Sequence, residues 1–238
     1  MSHSSIVDLY TNFANNPNKD YGWEKGMQNA LNHGYKEAWI DSIPENIWSY
    51  CAAVGNPFVA GEISMGQTVL DIGCGAGVDL CVASLLVGDK GKVLGVDVTP
   101  AMVEKSRQHA ELAGQYNITV HQSSFEKLPV ESNSIDIVIS NGAINLSLSK
   151  ETVFSEIYRV LKSNGHLYFC DMIKDENNHT ANCCDKESWA DCVAGTLKST
   201  ELIKMLTKAG FKDALLLSTN HYKTSASTIG ATFSAMKC

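Results

Sequence analysis

Nine residues constrain this chain more than any others: Val69-Leu70-Asp71-Ile72-Gly73-Cys74-Gly75-Ala76-Gly77. An apolar run ends in an acid, turns on three closely spaced glycines and enters a helical pattern from about Val78 to Val87. Such a strand, tight loop and helix leave backbone exposed where a ligand can approach without meeting a Cβ. A second apolar run, Lys92–Val96, closes on Asp97, at the distance where a βαβ nucleotide site takes hold of ribose hydroxyls.

The alternation continues from there. Strands are expected over Thr68–Ile72, Lys92–Val96, Ile118–His121, Ile135–Ser140 and His166–Asp171. Helices fall between them, one capped at Thr99 with Pro100 at its first position and running to about Ala113, another from about Lys150 to Leu161. Residues 173–187 read as a polar loop. A helix from Thr200 to Ala209 stops at Gly210, and Phe211–Ser218 and Thr228–Met236 read as two final strands. This is an α/β chain with a Rossmann-like, mostly parallel sheet and helices on both faces. Residues 1–60, with helical periodicity and three of the four tryptophans, form an N-terminal helical extension: a lid over a site or a packing extension. Residues 61–238 form the second domain, which carries the glycine loop.

Composition excludes several classes. With 44% hydrophobic residues the chain can bury a sizeable core. A net charge of −7 and the absence of a basic run argue against a nucleic-acid surface. No segment approaches the length of a membrane span, and the start has no signal-peptide pattern, so a cytoplasmic location is expected. Eight cysteines without a CxxC pair fit free thiols or ligands better than a disulfide framework or zinc site. No metal site is expected, and the sequence is silent on oligomeric state.

The glycine spacing narrows the ligand. Val78 stands where a dinucleotide fingerprint needs its last glycine, and no phosphate-binding G-x-x-x-x-G-K-[ST] occurs. Asp-x-Gly-x-Gly-x-Gly, followed by Val96-Asp97-Val98-Thr99, resembles the first two motifs of class I S-adenosylmethionine-dependent methyltransferases. The resemblance implies that Asp71, Gly73, Gly75 and Gly77 flank the methionine and ribose part of S-adenosylmethionine, that Asp97 and Val98 hold the ribose side, and that Met102 packs on adenine. Ser123–Pro129 resembles a further family segment in which Ser124 replaces the usual aspartate. Phe125 and Glu126 then serve the adenine, and Ser140 lies at the carboxyl end of the sheet.

Two stretches resemble arsenite methyltransferases in particular: Ser140-Asn141-Gly142-Ala143-Ile144-Asn145-Leu146 and Ser188–Leu197, the latter carrying the family's Trp-x-x-Cys-x-x-Gly-x-Leu element. By that resemblance Cys192 is a thiol ligand, with Asn141 and Asn145 beside it as candidate catalytic residues. Arsenic(III) is soft and prefers thiolates. One family cysteine falls at Val54 and another near Ala226, while Cys51, Cys183 and Cys184 are further candidates. Cys74, Cys81 and Cys170 read as small apolar filler. The substrate is therefore a small molecule. Arsenite or a related soft acceptor comes first, a small organic metabolite stands as the alternative, and a protein that binds the cofactor without transferring anything is the third reading.

Overall fold

The computed structural model describes residues 3–175 and 195–238. Four short helices open the chain: α1 (His3–Asn15), α2 (Met27–Asn32), α3 (Glu37–Ser42) and α4 (Glu45–Trp48). Then β1 (Thr68–Ile72), α5 (Val78–Val87), β2 (Lys92–Asp97), α6 (Pro100–Leu112) and β3 (Ile118–Gln122) alternate. After them come β4 (Ile135–Asn141), α7 (Lys150–Val160), β5 (Leu161–Lys174), α8 (Ser199–Ala209), β6 (Lys212–Thr219) and β7 (Thr228–Met236).

The seven strands form one sheet in the order β3-β2-β1-β4-β5-β7-β6. The pairs β3·β2, β2·β1, β1·β4 and β4·β5 are parallel, and β7 is antiparallel to both β5 and β6. The chain moves outward from β1 through β2 and β3, then returns to β4 on the other side of β1. That reversal opens a crevice beyond the carboxyl ends of β1 and β4, where open α/β sheets receive ligands.

The central strands are buried on both faces, so they read as continuous apolar runs: Val69, Leu70, Ile72, Val138 and Ile139 are fully enclosed. One core cluster joins the N-terminal segment to the sheet, with Trp39, Ile47, Trp48 and Phe58 packed among Val82, Val93 and Ile137. A second lies under α7 and α8, where Phe154, Phe169 and Phe233 meet, the last two stacked 4.8 Å apart. Strand β5 is longer than its sequence pattern, starting at Leu161 rather than His166. Asn164 takes a left-handed conformation (φ 62°), and the register against β4 slips between Ile135 and Ile137. The helix before it accordingly ends at Val160. No helix among the described residues is long and apolar enough to cross a membrane.

Candidate active site

The loop after β1 is tied to β2 before any ligand is considered. The amides of Gly73 and Cys74 donate to the Val96 carbonyl (2.8 and 3.1 Å), and the Gly75 amide donates to Asp97 Oδ2 (3.0 Å). The Thr99 amide donates to Asp97 Oδ1 (2.8 Å), so both carboxylate oxygens are oriented by backbone. Gly73 has φ +74°, and a Cβ there would collide with Ala143, so the loop can lie against the turn after β4 only with glycine. At Gly75 a Cβ would meet nothing within 4 Å, which leaves open space above the loop.

That space is part of a cavity of about 310 Å³, in the range of small-molecule sites. Asp71, Gly73, Gly75, Asp97, Val98, Met102, Phe125 and Glu126 all line it. Gly77 and Ser140 do not. A Cβ on Gly77 would run into Ser106 of α6, which makes it a packing glycine, and Ser140 Oγ donates to the Ile72 carbonyl (2.8 Å) inside the sheet. The N-terminal segment supplies the opposite wall. From it Ile6, Tyr10, Phe13, Tyr21, Trp23 and Tyr50 face the same cavity, with Tyr21 stacked on Trp23 at 5.0 Å and Phe13 edge-on to Tyr21 at 5.3 Å.

Asn141 lines the cavity at the end of β4, where four groups hold it. Its amide nitrogen lies 3.0 Å from the Gly55 carbonyl and 3.1 Å from both Tyr35 Oη and Asp79 Oδ2, while its oxygen accepts from the Val54 amide (3.1 Å). It therefore fastens the N-terminal segment to the sheet and to α5. Asn145 stands behind the wall, donating through its amide nitrogen to Asp171 Oδ1 (2.8 Å) and the Met172 carbonyl (2.6 Å). Its side-chain oxygen has no partner among the described residues. Cys192, Cys183, Cys184 and Trp189 lie outside the described residues.

Asp79, in the first turn of α5, is a site residue that the spacing of the glycines does not announce. It lines the cavity, is 8% exposed, and accepts from the Tyr35 hydroxyl (2.6 Å) as well as from Asn141. The available signal was an acid inside the otherwise apolar helix Val-Asp-Leu-Cys-Val-Ala-Ser-Leu-Leu-Val. Burial raises its carboxyl above the usual range, with the Tyr35 and Asn141 hydrogen bonds pulling the other way. Asp71 is raised well above that range, first by burial and then by the charges of Asp79 and Asp97, and no described residue donates a hydrogen bond to it. Asp97 is raised by burial, against the pull of the Thr99 and Gly75 amides. Of the described thiols, Cys51 and Cys74 line the cavity, and burial pushes both up, so they are neutral near pH 7.

A glycine loop over open space, an acid oriented for two hydroxyls and a buried carboxylate without a partner fit the ribose and ammonium of S-adenosylmethionine. Comparisons with known proteins agree. A family model described as a methyltransferase domain matches residues 63–210. The chain belongs to that family, the class I S-adenosylmethionine-dependent methyltransferases. Within it, the chain is 37% identical over 158 residues to an arsenite methyltransferase of Halobacterium salinarum, covering 66% of this chain and 40% of that one. It is 40% identical over 152 residues to the arsenite methyltransferase of Mus musculus, covering 60% and 40%. The crystal structure of an arsenic(III) S-adenosylmethionine methyltransferase from Chlamydomonas reinhardtii superposes with a TM-score of 0.71 at 33% identity, covering 84% of this chain and 72% of that one. The chain thus spans about 40% of the length of these curated relatives.

Proposed function

We propose that this chain moves the methyl group of S-adenosylmethionine to a small acceptor, arsenite or another soft, thiol-liganded species first. The observation that carries the proposal is the cavity between the β1 loop and the N-terminal segment, with its oriented Asp97 and unpartnered Asp71. The bound cofactor supplies an electrophilic methyl on a sulfonium. Asp97 would accept from the ribose hydroxyls, Asp71 would hold the ammonium, and Met102, Phe125 and Glu126 would enclose the base. Glu126 is braced for this by the Ser147 hydroxyl (2.5 Å).

Transfer by in-line displacement needs alignment and exclusion of water more than a general base. The aromatic wall of Tyr10, Phe13, Tyr21 and Tyr50 would exclude water, which is the lid role of residues 1–60. Cys192 would contribute a thiolate to a soft acceptor, with Asn141 on the acceptor side of the wall and Asn145, expected beside it, acting only as support from behind through Asp171. The net charge of −7 supports a small-molecule substrate without a nucleic-acid partner, and we read the enzyme as cytoplasmic.

One observation favours a small organic acceptor as the second reading. Val54, the position of a family cysteine by resemblance, puts an aliphatic side chain into the cavity wall, and both described cavity thiols are neutral. Incubation with S-adenosylmethionine and arsenite, followed by arsenic speciation, separates the readings. Methylated arsenic that disappears in Cys192→Ser supports the first. Turnover on an organic panel without methylated arsenic replaces it with the second.

A further inference from the structure

The described wall of the cavity contains four carboxylates, Asp71, Asp79, Asp97 and Glu126, and no Lys, Arg or His. Two of them are committed: Asp97 to the Gly75 and Thr99 amides, Glu126 to Ser147. Asp79 is fixed by Tyr35 and Asn141, and Asp71, 2% exposed, has no donor among the described residues. A ligand that carries positive charge would supply what this described wall lacks.

We propose that Asp79, acting with Asp71, reads the positive charge of the sulfonium and sets the preference of the site for S-adenosylmethionine over its spent product. This rests on the methyltransferase reading and adds a residue that reading does not use. In transfer, the sulfur–methyl bond breaks with its electron pair returning to sulfur, while the acceptor's lone pair forms the new bond to carbon. The sulfur becomes a neutral thioether, and the acidic wall keeps the ammonium but loses the second of the ligand's two positive charges.

Two interacting buried carboxylates do not both ionise readily without a counter-charge. Both ligands bring an ammonium to Asp71, but only S-adenosylmethionine adds the sulfonium: with it the pair gives up its remaining proton to solvent, and with the thioether it keeps one. The neighbouring groups do not distinguish the two ligands. Facing the pair are Tyr35 and Cys51 from the N-terminal segment, Cys74 from the loop, Cys81 from α5, Asp97 from β2 and Cys170 from β5. Burial holds Tyr35 and all four thiols in their neutral forms, and Asp97, itself raised by burial, meets the ribose of both ligands alike, so its proton cancels in the comparison. His33 and His109 are outside the wall.

Calorimetry of the whole chain with S-adenosylmethionine and with S-adenosylhomocysteine, between about pH 6 and 8 in buffers of different ionisation enthalpy, counts the protons. S-adenosylmethionine should release more protons than S-adenosylhomocysteine, and its relative affinity should rise with pH. Asp79→Asn should cut that preference by about tenfold through S-adenosylmethionine alone. Tyr35→Phe, which removes the donor but keeps the ring and the carboxyl, should move the onset of the preference to higher pH. Equal proton release by the two ligands, or equal weakening of both in Asp79→Asn, overturns the proposal. The proton count on the unmodified chain decides it even if the Asp79 variant does not fold. Failure of the folded chain to bind either ligand at any pH overturns the methyltransferase reading itself.

Discussion

Asp97 does two jobs with one carboxylate: it clamps the glycine loop through the Gly75 amide and lines the cavity beside it. Asp97→Ala should weaken S-adenosylmethionine binding by about 1–3 kcal/mol, since hydrogen bonds to a charged group are lost; unchanged calorimetric affinity would show that the ribose is held elsewhere. Gly73→Ala should be worse, because a left-handed residue is given a Cβ that strikes Ala143. The backbone strain alone is about 1–2 kcal/mol, and a denaturation midpoint equal to that of the parent would refute the close packing of the two loops. At this scale the sequence makes Asp71, Gly73, Gly75 and Asp97 legible, because their spacing along the chain is their placement. It does not say which way a side chain points. Ser140 and Asn141 are adjacent, yet one turns into the sheet and the other into the cavity. Asp79 is hidden because an acid in the first turn of a helix is ordinary.

Among the elements, α7 shows how a helix end is finished from far along the chain. Lys237 Nζ donates to the Tyr158 carbonyl (2.6 Å), the Leu161 carbonyl (2.7 Å) and Asn133 Oδ1 (2.8 Å), and sits 4.7 Å from the Tyr158 ring centroid. These are carbonyls that the last turn of a helix leaves without partners, at the end where a cation is favoured. Lys237→Met keeps the aliphatic stem and abandons the carbonyls, so urea unfolding should report a loss of about 1–3 kcal/mol. A variant as stable as the parent would mean that water satisfies them equally well. The alternating elements from β1 to α8 follow from apolar runs bounded by turn residues. The start of β5 does not, because Asn164 and Gly165 look like a turn and yet lie within a strand interrupted by a register slip. The N-terminal helices are short for the same kind of reason: Gly34, at φ +75°, separates α2 from α3.

The whole molecule carries an unusual set of buried acids. Asp171 is raised to about 6 by burial, despite the amides of Asn145 and Met172 and the charge of Lys150, and Asp71, Asp79 and Asp97 shift in the same direction. A carboxyl whose folded value lies above its unfolded one binds its proton more tightly in the fold, so its contribution to stability is full at low pH and is lost as pH rises through the folded value. For Asp171 the window runs from the ordinary carboxylate range to about 6. Glu156, lowered by Arg159, and His33 and His109, lowered by burial, act oppositely and lose stability as the pH falls. The thermal midpoint should therefore gain from Asp171 as the pH is lowered from about 6.5 to 4.5, a gain that Asp171→Asn lacks; parallel pH profiles for parent and variant over that interval would contradict the burial of this acid. The sheet as a whole was legible from its alternation, and the cavity was not. Its wall draws on residues from Ile6 to Thr224, and no local pattern connects positions so far apart.

The position of β7 has a consequence for the order in which the fold can be completed. It follows β6 in the chain but lies between β5 and β6 in the sheet, pairing with β5 from His166 to Lys174 and with β6 from Lys212 to Thr219. On a ribosome, β6 emerges with no neighbour it will keep, and the edge of β5 stays open until residues 228–236 have left the exit tunnel. For that interval the nascent chain presents two unpaired strand edges, the kind of surface that recruits chaperones or other nascent chains. Translation speed between β6 and β7 is therefore a determinant of yield that no property of the finished fold would reveal.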